Sequence, residues 1–134
     1  MNALTDELVA ADVMSRQFLT AEPPDTIGET AEKLAAHDAG SVLVVESGEL
    51  VGILTSRDVV RAIAARVHPS EARVREFMTA RPVTSAPDAP VDEVARAMIS
   101  GGFHHLPVIE HGRPIGVVGL RAVSGVLGEL GPGW

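Results

Sequence analysis

The stretch "GILTSRDVV", residues 52–60, returns sixty-four residues later as "GVVGLRAVS", residues 116–124. Gly52, Arg57 and Val59 find counterparts in Gly116, Arg121 and Val123, but Thr55 becomes Gly119 and Asp58 becomes Ala122. The same offset aligns the flanking sequence without a gap. Met14 meets Met78, Thr20 meets Thr84, Pro23 meets Pro87 and Glu29 meets Glu93. Val44, Glu46 and Gly48 meet Val108, Glu110 and Gly112. Apolar positions match in kind: Ile27 with Val91, Leu34 with Met98, Val42 with Leu106. Self-similarity at a fixed period means one supersecondary unit built twice.

Each copy reads locally as helix–strand–strand–helix. In the first, "TIGETAEKLAAHDAG" sets Ile27, Ala31, Leu34 and Ala35 on one helical face, with Gly40 as the stop. "SVLVV" follows as a buried strand, Ser47-Gly48 as a turn, and "LVGIL" as the partner strand of a hairpin. A second helix starts within "TSRDVVRAIAAR", with Val59, Val60 and Ile63 as its apolar positions. The second copy gives a helix over 91–100, strands over 105–109 and 114–118 around His111-Gly112, and a helix over 120–128. Segments 18–21 and 82–85 are candidates for a short strand ahead of each first helix. The predicted fold class is α+β: two pseudo-symmetric β-α-β-β-α repeats packed sheet to sheet in one compact module with a shared core. The expected organisation is an N-terminal helix at 1–11, repeats at 12–63 and 76–127, a linker at 64–75 broken by Pro69, and a flexible tail at 128–134. A pair of this kind creates clefts where equivalent elements meet, and such clefts favour ligands.

Composition narrows the classes of function. With 46 % apolar and 22 % charged residues, the chain reads as globular rather than disordered. A formal charge of -7 argues against nucleic acid, whose binding relies on many Lys and Arg contacts to phosphate. The absence of cysteine excludes disulfides, thiolate metal sites and cysteine nucleophiles. No basic-then-apolar leader opens the sequence, and no uncharged apolar run approaches the roughly 20 residues of a membrane helix. The expectation is a cytoplasmic protein with no membrane partner.

The segments "DVMS" and "EFMT", "GSVLVVESGELVGILTSRDVV" and "GFHHLPVIEHGRPIGVVGLRAV" together resemble a tandem pair of CBS domains. These are the cystathionine-β-synthase-type repeats of a Bateman module, and the resemblance covers residues 12–127. It implies an adenosine-containing ligand (AMP, ADP, ATP or S-adenosylmethionine) in the cleft between the repeats, and no obligatory cofactor. It implies regulation rather than catalysis, and a disc-like homodimer. It also implies ligand contacts from Ile53, Thr55, Ser56, Arg57 and Asp58. Pro82, Val83 and Thr84 would face the adenine, and His104 and His105 the phosphate.

The residues suit these roles, and they also suit others. Thr55 and Asp58 form T-x-x-D at a strand-to-helix junction, which is a capping box in its own right. The same helix start offers free N–H groups and partial positive charge to a phosphate. An ionised Asp is acceptor-only and accepts two hydrogen bonds from a ribose diol. Arg57 and Arg121 read equally as solvated, interface or ligand residues, and the remaining Lys and Arg as surface. Neighbouring strand residues point to opposite faces, so one of His104 and His105 is expected to aim into the cleft. A phosphate-binding histidine would tighten binding as pH falls through roughly 6–7. The pseudo-equivalent cleft would use Gly119 and Ala122 with Thr20, Ala21, Gly40 and Ser41. It has no carboxylate for a diol and no basic pair for a phosphate. One competent site and one vestigial site per chain are therefore expected.

Competing functions follow from the same residues. His104, His105 and His111 lack a helical His-x-x-x-His spacing, so no metal site is expected. No nucleophile–base arrangement and no P-loop glycine pattern stands in the chain, so no catalytic residue is assigned. Met14, Met78 and Met98 read as core filler, with the first two also able to pack against adenine. A sensing module this small would pass its output to a separate effector protein or through its own assembly. The alternative is a ligand-free interaction or dimerisation module, against which the retained Thr55 and Asp58 argue.

Overall fold

Six helices and six strands are found among residues 8–127, which the computed structural model describes. In chain order they are α1 (Ala10–Val13), β1 (Leu19–Ala21), α2 (Ile27–Ala36), β2 (Ser41–Glu46), β3 (Glu49–Thr55) and α3 (Ser56–Ala64). Then come α4 (Val74–Phe77), β4 (Thr79–Ala80), α5 (Val91–Gly101), β5 (His105–Glu110), β6 (Arg113–Gly119) and α6 (Leu120–Leu127). The class is α+β, as the repeat predicts. The expected tail over 128–134 and residues 1–7 of the expected helix over 1–11 lie outside the described residues; α1 is a single turn.

The chain divides into two compact units. A central unit takes residues 18–82; a split unit takes the residues up to Gln17 together with those from Val83 onward. The central unit carries a four-stranded sheet in the order β1-β2-β3-β4. β1 runs parallel to β2, and the β2–β3 and β3–β4 pairs are antiparallel. The split unit carries the β5–β6 hairpin, flanked by single bridges from Ser15 to Val117 and from Ser85 to Val108. Segment 82–85 therefore makes one bridge where a short strand is expected, while 18–21 forms β1. Both hairpins turn on residues with positive φ, Ser47-Gly48 at 53° and 81° and His111-Gly112 at 55° and 80°. That geometry matches the right-handed twist of the strands.

The two units repeat each other down to single hydrogen bonds. Ile27 N–H donates to the Ala72 carbonyl as Val91 N–H donates to Leu8. Val74 N–H donates to Asp25 as Ala10 N–H donates to Ala89. The segment that opens each sequence repeat thus docks beside the helix and hairpin of the other repeat. Met78 and Thr79 lie against Gly52 so closely that a Cβ there would sit 2.6 Å from Met78 Sδ and 3.0 Å from the Thr79 carbonyl oxygen. Met14 and Ser15 hold the same place against Gly116. The segment read as a linker is also tied down, since Gly28 N–H donates to the Pro69 carbonyl and Arg73 Nη1 to that of Pro24.

Buried apolar residues form a cluster in each unit. The central cluster gathers Ile27, Leu34, Val42, Val44, Leu54, Ala62 and Val74; the split unit's gathers Val91, Val94, Met98, Leu106, Val108, Val118 and Val123. Met98 is buried, and Met14 and Met78 pack at the cluster edges.

Two local expectations are corrected. Gly40 does not stop α2, which ends at Ala36; Asp38 takes the left-handed conformation at φ 49°. Asp tolerates that region because its short polar side chain bonds locally. The predicted apolar positions of α3 also divide. Val60 and Ile63 are 66 % and 52 % exposed, and the helix buries Asp58 and Ala62 instead, with Val59 partly covered. Asp58 and Ala62 are one turn apart, so the inward capping carboxylate and the small alanine share the buried face.

Candidate functional site

The site candidate is the junction where β3 passes into α3. Ile53 is buried in β3, paired with Leu43 and Thr79. Thr55 ends β3 in extended conformation and is the N-cap of α3. Its N–H donates to Asp58 Oδ2 at 2.9 Å, and its hydroxyl donates to the same oxygen at 3.1 Å. Asp58 N–H donates back to Thr55 Oγ1 at 3.3 Å, which completes a reciprocal capping box. Ser56 and Arg57 are exposed on the first turn, with Ser56 N–H donating to the Gly40 carbonyl at 3.0 Å. Asp58 itself is 5 % exposed, although it is charged. Buried charges need partners, and its second oxygen has one: Arg61 Nη1 lies 3.3 Å from Oδ1. Arg61 reads in the sequence as surface. The signal that could have singled it out is its place three residues after Asp58 on a helix, where side chains are neighbours.

In the split unit the equivalent junction is bare. Gly119 ends β6, half-buried, and Ala122 is exposed on α6. A Cβ at Gly119 would meet nothing within 4 Å. Leu120 N–H donates to the His104 carbonyl at 2.8 Å, the counterpart of the Ser56–Gly40 bond. His105, first residue of β5, pairs with Gly119.

The structure thus sets Gly40 and Ser41 beside Ser56 and Thr55, since Ser41 pairs with Thr55 in the sheet. It sets His104 and His105 beside Leu120 and Gly119. The sequence reading places Gly40 and Ser41 with the vestigial residues and the histidines with the competent ones. Thr20 is exposed in β1, its carbonyl accepting from Lys33 Nζ at 2.6 Å, and Ala21 is buried. Pro82 closes the central unit, half-buried; Val83, 54 % exposed, and Thr84, half-buried, open the second segment of the split unit.

Electrostatics separates the two histidines. His104 is exposed, whereas His105 is half-buried. Burial first, and then the neighbouring His104 charge, hold the His105 imidazole below its ordinary value of 6.5. A binding effect through His105 would therefore appear at lower pH than the interval expected from the sequence. Among the described residues no group of three or more His, Asp or Glu could hold a metal ion. None of their helices is long and apolar enough to cross a membrane.

Comparison with known proteins fits this geometry. The sequence matches the CBS domain family over residues 9–65 and again over 74–129. It is 32 % identical over 115 residues to protein MK0525 of Methanopyrus kandleri, covering 84 % of this chain and 59 % of that protein. The chain thus spans about three fifths of that relative's length. It is 30 % identical over 109 residues to the CBS domain-containing protein YhcV of Bacillus subtilis, covering 81 % of this chain and 78 % of that one. The crystal structure of the CBS domain pair of protein MJ0100, in complex with 5′-methylthioadenosine and S-adenosyl-L-methionine, superposes with a TM-score of 0.83. It is 30 % identical and covers 92 % of this chain and 98 % of that one. The chain belongs to the CBS domain family, and it carries the domain twice, as a tandem Bateman-type pair.

Proposed function

We propose that the chain is a regulatory module that binds an adenosine-containing ligand, of the AMP, ADP, ATP or S-adenosylmethionine class, at one competent site. The observation that carries this reading is the Thr55–Asp58 box at the start of α3, an acceptor-only carboxylate at a helix N-terminus. It offers ribose hydroxyls an acceptor, while the Arg57 N–H, left over by the Ser56–Gly40 and Asp58–Thr55 bonds, suits a phosphate together with the exposed Ser56 and Arg57 side chains. The adenosyl ligands of the MJ0100 pair support the ligand class. Ile53, Pro82, Val83, Thr84, His104 and His105 complete the proposed contact set. Gly119 and Ala122, with Thr20, Ala21, Gly40 and Ser41, remain the proposed vestigial set. The module performs no catalysis in this reading; its output passes through a homodimer or an effector protein.

Thermal denaturation with AMP, ATP and S-adenosylmethionine tests it. A ligand at 100 times its Kd stabilises by about 2.7 kcal/mol and raises the melting temperature by several degrees. Asp58→Asn and Asp58→Ala should remove that rise while the chain stays folded, since the lost cap costs about 0.5–2 kcal/mol. A second reading, an interaction module without ligand, is favoured by the engagement of both Asp58 oxygens within the chain. Its signature is an unchanged melting temperature with every adenosine compound.

A further inference from the structure

The contacts of Asp58 are unequal. Oδ2 accepts from the N–H and the hydroxyl of Thr55, at 2.9 and 3.1 Å. Oδ1 accepts from Arg61 Nη1 at 3.3 Å, the longest of the three. A carboxylate has about four acceptor positions, so a vicinal diol arriving at Asp58 must use Oδ1. With the residue 5 % exposed, something must first withdraw. The Thr55 N–H cannot leave without dismantling the start of α3. The Arg61 side chain, 67 % exposed on a flexible stem, can.

We infer that Arg61 is an affinity- and specificity-determining residue of this site, holding Asp58 Oδ1 in competition with a ribose 2′,3′-diol. The inference rests on the adenosine reading of the Thr55–Asp58 box. The split unit supplies the contrast: Gly119, Ala122 and Gly125 stand where the central unit has Thr55, Asp58 and Arg61. Packing does not dictate that difference, because a Cβ at Gly119 or Gly125 would meet nothing within 4 Å. Competition of this kind discriminates as well as weakens. A ribonucleotide replaces the guanidinium's bond with two of its own, whereas a ligand lacking the diol gains nothing by entering Asp58's reach.

Calorimetric titration of the full chain with AMP, S-adenosylmethionine and 2′,3′-dideoxy-AMP decides the matter, using wild type, Arg61→Met, Asp58→Asn and the double variant. Methionine keeps an apolar stem on an exposed helix position, and a melting curve confirms folding. Arg61→Met should bind the ribose-bearing probes roughly twofold to fivefold tighter, the range expected for an exposed ion pair, with dideoxy-AMP unchanged. In the Asp58→Asn background the gain should vanish. Unchanged or weaker ribonucleotide binding in Arg61→Met, with Asp58→Asn still damaging, overturns the Arg61 role alone. An equal gain for the dideoxy probe does the same, because it assigns the effect to structure rather than to the diol. No binding of any probe by wild type or Arg61→Met, or binding indifferent to Asp58→Asn, overturns the adenosine reading itself and the inference with it.

Discussion

His105 opens β5 half-buried against Gly119, and its depressed imidazole pKa makes folding pH-dependent. The fold favours the neutral ring. The stability this contributes is fully present above the ordinary value of 6.5 and is lost as pH falls through the lowered folded-state value. Denaturation series at pH 7.5, 6 and 5 should show wild type losing more stability than His105→Gln; parallel curves would refute the assignment. Single residues were legible in kind more than in placement. T-x-x-D announces a capping box, and the box forms as announced. What the sequence does not carry is the rotamer that turns Asp58 inward, or the return of Arg61 onto its second oxygen. Nor does the adjacency of His104 and His105 say which is covered, because that depends on where the strand begins.

At the level of elements, each hairpin admits a neighbouring segment at a glycine. Gly52 leaves room for Met78 and Thr79 beside β3, and Gly116 for Met14 and Ser15 beside β6. Gly52→Ala should destabilise the chain by about 1–3 kcal/mol, the usual cost of overpacking. Trimming the opposing side chain in Gly52→Ala/Met78→Ala should recover less than the whole, since the Thr79 carbonyl oxygen also stands 3.0 Å from the added carbon. Urea midpoints of the two variants check both statements. Helices, hairpins and turns were legible, because periodicity and Ser-Gly or His-Gly turn signals act locally. The buried face of α3 was not. Hydrophobic periodicity ranks Val60 and Ile63 above Ala62, whereas the capping geometry of Asp58 chooses the face that packs.

For the whole molecule, the repeat set two copies of one unit, and two units form. A titration with a ribose-bearing adenylate should therefore saturate at one ligand per chain, because only the central unit offers Thr55 with Asp58. Two equal sites would refute it. The exchange of opening segments escaped the sequence reading, since a fixed offset aligns each opener with its own copy and is silent on its docking partner. That exchange has a consequence for synthesis. The central unit is complete once Pro82 has left the ribosome. Residues 8–17 leave the ribosome before the central unit, yet their hydrogen-bonding partners at Pro87, Ala89 and Val117 are all made after it. Until Val117 has been made, residues 8–17 lack those partners, so a nascent-chain chaperone would have one defined segment to shield.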